Sequence, residues 1–188
     1  MNQITNIANN FLKKGGSILE LGTGEGDLIN EIAGSNDDLA RIVAVDYFNE
    51  PKNLNKKIEF IKQDIENLNI DGHFDIVIMN HVLEHVKNPL GLVEEIKKIL
   101  NKNGRILIVV PNRRGFGNEA KVYMPEHGKH YFLWDKESME YSLERLGFVC
   151  RFYNLYFAGS HNIFLKYLPM IFRVQNPNLI CMAMLDIE

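Results

Sequence analysis

A short apolar run that stops at three glycines and restarts as a helix constrains this chain more than any other feature. Ser17 to Asp27 read Ser-Ile-Leu-Glu-Leu-Gly-Thr-Gly-Glu-Gly-Asp. Ile18, Leu19 and Leu21 are strand-type, and Gly22, Gly24 and Gly26 break the run. Leu28, Ile29, Ile32 and Ala33 then recur at helical spacing. Such a corner suits a ligand. Glycines adopt positive φ and let a ligand approach the backbone where a Cβ would block it. The following helix aims its free N–H groups and positive dipole end at the same place.

The rest of the chain repeats the strand-and-helix theme. Ile4, Ile7, Ala8, Phe11 and Leu12 predict an amphipathic helix over 3–14, closed by Lys13-Lys14-Gly15-Gly16. Arg41 to Asp46 is an unbroken apolar run ending in an acid, the pattern of a parallel strand buried on both faces. Ile58–Ile61, Phe74–Met79 and Arg105–Val110 read as further strands, with a helix over Leu90–Leu100 before the last of them. Alternation of this kind implies a doubly wound, mostly parallel α/β sheet with right-handed crossovers. The final part differs. Asp135 is a helix N-cap, Met139, Leu143 and Leu146 give that helix its apolar side, and Gly147 ends it. Phe148–Phe157 and Leu179–Leu185 are strands with no sure crossover helix between them, so they are expected to be antiparallel.

Length and charge narrow the function. At 188 residues the chain makes one domain with a real core. A net charge of −3 disfavours a general nucleic-acid binder. Cys150 and Cys181 lie in apolar runs far apart and read as buried thiols of a reducing compartment. No basic-then-apolar leader opens the sequence and no stretch of about 18 apolar residues occurs, so a cytoplasmic protein is expected.

Spacing separates two cofactor classes for the glycine corner. A dinucleotide site wants G-x-G-x-x-G, whereas here the loop is G-x-G-x-G with Glu20, Glu25 and Asp27 around it. Three carboxylates repel a pyrophosphate and suit a cofactor carrying an ammonium and a sulfonium, which disfavours a nicotinamide oxidoreductase. The segment Glu20-Leu-Gly-Thr-Gly-Glu-Gly26 resembles the first motif of the class I S-adenosylmethionine-dependent methyltransferases. Gly72 to Pro89, reading Gly-His-Phe-Asp-Ile-Val-Ile-Met-Asn-His-Val-Leu-Glu-His-Val-Lys-Asn-Pro, resembles the fourth-strand motif of the small-molecule methyltransferases of ubiquinone and menaquinone biosynthesis. The resemblance runs from residue 16 to about 112, with a weaker echo at 130–150. It implies a single methyltransferase domain over 1–188 with a seven-stranded sheet, its last strand antiparallel between the fifth and sixth.

The resemblance also implies roles. Glu20, Gly22, Thr23, Gly24 and Gly26 would form the loop against the methionine part of S-adenosyl-L-methionine. Asp46 would accept both ribose hydroxyls, Asp64 would accept from the adenine amino group, and Tyr47 and Ile65 would flank the ring. Asn80, His81 and Val82 would line the methionine end. His81-Val-Leu-Glu84-His85 also fits the inverted zinc-protease pattern H-x-x-E-H. That pattern needs a long helix and a distant third ligand, and Pro89 cuts the local helix short, so a zinc-protease site is not expected and no metal ligand is assigned, with a loosely held cation near the substrate left open.

The acceptor is less legible. Methyl transfer from a sulfonium is an in-line displacement, and an oxygen or nitrogen acceptor usually needs a base. Acceptor elements are expected in 111–134, which holds Arg113, Arg114, His127 and His130, and in 158–178. His85, His127 and His130 are the candidate bases. The expected partner is a small-molecule acceptor, most simply methylated on oxygen. No nucleic acid is expected, because no separate substrate domain exists and Asn80-His81-Val82 lacks the Asn/Asp-Pro-Pro-Tyr/Phe pattern of base-nitrogen methylases. The apolar stretch Ile163–Phe172 is read as a lid or as a homodimer contact. The alternative function is an S-adenosylmethionine-binding module without activity of its own.

Overall fold

The computed structural model describes residues 3–48, 50–115, 130–153 and 178–186. Eleven regular elements follow one another: α1 (Gln3–Asn9), β1 (Ser17–Leu21), α2 (Asp27–Ser35), β2 (Arg41–Asp46), β3 (Ile58–Lys62), β4 (Phe74–Asn80), α3 (Pro89–Lys98), β5 (Leu100–Pro111), α4 (Lys136–Glu144), β6 (Phe148–Tyr153) and β7 (Asn178–Leu185). The strands form one sheet in the order β3-β2-β1-β4-β5-β7-β6. β1 to β5 pair in parallel, and β7 runs antiparallel to both β5 and β6. This is the expected doubly wound sheet with an antiparallel strand inserted between the fifth and sixth.

Strand alternation builds a three-layer body. Successive side chains point to opposite faces, so Leu19, Leu21, Val43, Val45, Val77 and Met79 meet Leu92, Val93 and Ile96 of α3 and Met139 and Leu143 of α4. Ile18, Ile42, Ala44, Ile76 and Ile78 meet Ile4 and Ala8 of α1 and Leu28, Ile29 and Ile32 of α2. Burial on both faces explains why β1 and β2 lack apolar–polar alternation. Among the described residues no helix is long and apolar enough to cross a membrane.

Several boundaries move for local reasons. α1 stops at Asn9, short of residue 14, because Phe11 and Leu12 both donate to the Ala8 carbonyl in a closing turn. α3 starts at Pro89, capped by the Asn88 side chain accepting from Gly91 N, so this proline opens a helix. β5 begins at Leu100, five residues before the expected Arg105, because residues 101–104 form a bulge between the Phe74 and Ile76 pairings. Asp135 caps α4 as expected, in a reciprocal capping box with Ser138. Cys150 and Cys181 are free thiols, but only Cys181 is buried; Cys150 is half-buried on β6. The Ile163–Phe172 stretch, and with it the lid or dimer expectation, lies outside the described residues, as does most of 111–134.

Candidate active site

Parallel topology brings the C-terminal ends of β1, β2 and β4 side by side, where open α/β sheets bind ligands. A cavity of about 420 Å³ opens there. Gly22 and Gly24 from the turn after β1, Asp46, Tyr47 and Phe48 after β2, and Asp64 and Ile65 after β3 supply one side. His81, Val82, His85, Val86 and Lys87 after β4, together with Tyr131, supply the other.

The glycine turn is held from below. Gly22 N and Thr23 N donate to the Val45 carbonyl, which staples the loop to β2. Gly22 has φ 70, and a Cβ there would stand 2.5 Å from Val82 Cγ2, so only glycine lets the loop and the residues after β4 close on each other. Gly24 has φ 54 and nothing within 4 Å of a Cβ position, so its missing side chain leaves open space.

Asp46 is 7% exposed, and both its oxygens are engaged. Oδ2 accepts from Gly24 N at 2.8 Å and Oδ1 from Phe48 N at 3.0 Å. One carboxylate therefore ties the loop after β1 to the loop after β2 and sits at the cavity between them. Asp64 caps a short 3-10 turn, accepting from Glu66 N. Across the cavity Glu66 Oε1 accepts from Lys87 N at 2.6 Å, which braces the β3 and β4 loops.

Glu20 stands behind the lining. It is 1% exposed at the end of β1, and its Oε2 accepts from the Thr23 hydroxyl at 2.6 Å. Burial pushes its carboxyl up to about 7, against the Thr23 hydrogen bond and the Ile29 amide, which pull it down. Thr23 and Gly26 also lie outside the lining; Gly26 caps α2 with φ 80 and packs against the 51–54 loop. Asn80 ends β4 with its Oδ1 buried and without a hydrogen-bond partner.

The residues after β4 make a second focus. Among the described residues His81 is the only non-glycine with positive φ, at 56. Its N–H donates to the Val109 carbonyl, and its Nδ1 lies 3.3 Å from Glu84 Oε1. Such a conformation persists where its surroundings enforce it, commonly at functional sites. His85 and His130 pack ring edge to ring face with centroids 4.7 Å apart. His127 lies outside the described residues.

The structure thus gathers nine of the fifteen expected residues around the cavity: Gly22, Gly24, Asp46, Tyr47, Asp64, Ile65, His81, Val82 and His85. Sequence reasoning missed Phe48, Glu66, Val86 and Lys87, and gave Tyr131, inside the expected acceptor element 111–134, no role of its own. Phe48 was legible as a second aromatic beside Tyr47, and Tyr131 sits in the aromatic run 131–134. Glu66 and Lys87 carry no local signal, because a loop charge looks the same whether it braces a cavity or faces water.

Comparisons with known proteins agree with this architecture. Residues 3–151 match the family model described as a methyltransferase domain. The plantazolicin methyltransferase BpumL, solved with a triazolic substrate analog and S-adenosylhomocysteine, superposes with a TM-score of 0.71 at 20% identity, covering 98% of this chain and 83% of that one. The 1,6-didemethyltoxoflavin-N1-methyltransferase of Burkholderia thailandensis, solved with its substrate and S-adenosylhomocysteine, gives 0.70 at 15% identity over 99% of this chain and 78% of that one. An uncharacterized protein of Methanocaldococcus jannaschii is 35% identical over 82 residues, a match spanning 42% of this chain and 40% of that protein. The family match covers most of the chain, including β1 to β4, whose ends build the cavity: the chain belongs to the methyltransferase-domain family.

Proposed function

We propose that the chain binds S-adenosylmethionine in the cavity at the ends of β1, β2 and β4 and transfers its methyl group to an oxygen of a small acceptor. The observation that carries this reading is the convergence of the glycine turn, the Asp46 carboxylate and the His81–His85 turn on one space of about 420 Å³. That volume falls within the range of small-molecule sites. Asp46 accepts the ribose hydroxyls, Tyr47 and Ile65 flank the adenine, and Asp64 accepts from its amino group. Gly22 and Gly24 give the methionine part access to the backbone, with Asn80, His81 and Val82 at its far end and Glu20 beneath. Both solved relatives above carry S-adenosylhomocysteine, one beside a triazolic desmethylplantazolicin analog and the other beside 1,6-didemethyltoxoflavin, which supports a small-molecule acceptor. The likeness of 72–89 to quinone-biosynthesis enzymes supports a hydroxylated aromatic ring.

In the reaction an acceptor oxygen lone pair forms the O–CH3 bond as the C–S bond breaks. The C–S electron pair goes to sulfur, leaving S-adenosylhomocysteine, and the hydroxyl proton is lost from the acceptor. The protein aligns oxygen, carbon and sulfur and keeps water out. His85, on the cavity wall, with the His130 ring packed against it, would take that proton. We further propose that the enzyme is cytoplasmic, in line with its two free thiols. A screen of phenols and heteroaromatic hydroxyl compounds with methyl-labelled donor tests the activity. Label appearing on oxygen is the expected result; label on a ring nitrogen alone, or binding of the cofactor with no transfer to any of these compounds, would overturn it, the latter favouring an inactive binding module.

Glu20 gives this reading a pH signature. Its unfolded carboxyl titrates near 4.5 and its folded one near 7, so between those values the folded state holds a proton that the unfolded state has lost. The contribution to stability is complete below pH 4.5 and is lost as pH rises through about 7. At about 1.4 kcal/mol per pKa unit, its size is on the order of 3 kcal/mol. Thermal unfolding of the cofactor-free protein should show a loss of stability between pH 5 and 7.5 that Glu20→Gln flattens; an equal slope in the variant would contradict it. A cofactor ammonium bound nearby favours the ionised form, so S-adenosylhomocysteine binding at pH 6.5 should release a proton, visible as a dependence of the binding heat on buffer ionisation enthalpy.

A further inference from the structure

Glu84 is a buried charge-bearing group that the methyl-transfer reading does not use. It is 1% exposed, in the short turn Leu83–His85 after β4. Its Oε1 lies 3.3 Å from His81 Nδ1 and 4.0 Å from His85 Nε2. Its Oε2 is buried and has no hydrogen-bond partner. A buried carboxylate oxygen without a partner costs folding energy and asks for an explanation, an unseen cation among them. The backbone supplies a further ligand from far along the chain: Tyr131 N donates to the Glu84 carbonyl at 2.8 Å, which sets His130 against His85.

We propose that Glu84, His85 and His130 bind a divalent transition-metal ion at the wall of the cavity. One ligand atom from each of the three lies within 4.8 Å of the other two. Metal–nitrogen and metal–oxygen bonds are about 2.1 Å, so neighbouring ligands on a tetrahedral ion stand roughly 3.4 Å apart. Closing that difference takes about an ångström, within reach of side-chain rotation of two half-buried histidines. Two imidazoles and one carboxylate select zinc, cobalt or iron(II) over magnesium and calcium, which prefer oxygen. Three protein ligands leave an open position, and His85 already lines the cavity. His81 then has a job that accounts for its strained backbone: holding Glu84 Oε1 in place, as partners behind a metal ligand do. The sequence pattern H-x-x-E-H suggests His81 and His85 as the paired ligands; the structure instead groups Glu84, His85 and His130.

Ion binding stands on this geometry alone. Its use rests on the methyl-transfer reading: an ion in this place would hold the acceptor oxygen and lower the pKa of its hydroxyl, whose proton then leaves to water before the O–CH3 bond forms. Full-length protein stripped with a chelator should bind one Co²⁺ per chain, followed by visible absorption, and one Zn²⁺ by calorimetry. His130→Ala should weaken both by more than the roughly 100-fold that losing a ligand's hydrogen-bond partner costs, with S-adenosylhomocysteine binding unchanged. His73→Ala, on the opposite end of β4, should change neither. Glu84→Gln should behave as His130→Ala; should it fail to fold, the half-buried His130 keeps the test decisive. Absence of stoichiometric ion binding, or equal binding by His130→Ala, would overturn the site. Failure of the wild type to bind S-adenosylhomocysteine would strike the cofactor reading instead, because the metal titration needs no cofactor.

Discussion

Asp46→Ala should lower affinity for S-adenosylmethionine and S-adenosylhomocysteine by at least about tenfold while the protein stays folded. Hydrogen bonds to a charged acceptor contribute roughly 1.5–3 kcal/mol, and about 1.4 kcal/mol is a factor of ten in binding. Two ribose hydroxyls would lose their shared acceptor. The structure adds a second effect. The same carboxylate accepts from Gly24 N at 2.8 Å and from Phe48 N at 3.0 Å, so its removal also frees the two loops that shape the cavity. Stability should therefore fall as well, by about 1–3 kcal/mol for the two stranded amides. Asp46→Asn keeps one acceptor oxygen and should fall between wild type and alanine. Unchanged affinity in a folded Asp46→Ala protein would place the ribose elsewhere.

Gly22→Ala should be among the most destabilising single changes in the chain. The new Cβ would stand 2.5 Å from Val82 Cγ2, and the residue would keep φ near 70. The left-handed conformation costs a non-glycine residue roughly 1–2 kcal/mol. Overpacking adds about 1–3 kcal/mol. Denaturant unfolding should report a loss of about 2–5 kcal/mol from the two causes together. They are separable: Val82→Ala in the Gly22→Ala background should restore the steric part and leave the conformational part. Gly24→Ala is the matched control, with φ 54 and open space around its Cβ position. It should lose only the conformational share of stability, yet weaken cofactor binding, because its methyl group enters the cavity. Equal stability losses for the two substitutions would contradict the packing of Val82 against the glycine turn.

Sequence alone carried the sheet far and the site partway. β1 and β2 were legible because burial on both faces writes an unbroken apolar run, and the acid or glycines at its end mark where the strand stops. From its own residues β7 was legible only as an antiparallel partner of β6; its place beside β5 followed from the methyltransferase resemblance, because that pairing is a long-range contact with no local mark. The side of the cavity proposed to hold the cofactor follows strand ends in order, so Gly22, Asp46 and Asp64 could be placed by counting strands. Glu84 shows the limit. In sequence it is one letter of H-x-x-E-H, and its burial, its partnerless Oε2 and its nearness to His130 arise from the fold. A bond between Tyr131 N and the Glu84 carbonyl has no signature in the residues that make it.

The most direct test of the central claim is calorimetric titration of the protein with S-adenosylmethionine and with S-adenosylhomocysteine, run in parallel on Asp46→Ala. The account predicts one site per chain for both ligands in the wild type, and affinity at least about tenfold weaker in the variant. Wild-type protein that binds neither ligand, or a folded Asp46→Ala protein that binds both as tightly as wild type, would contradict it.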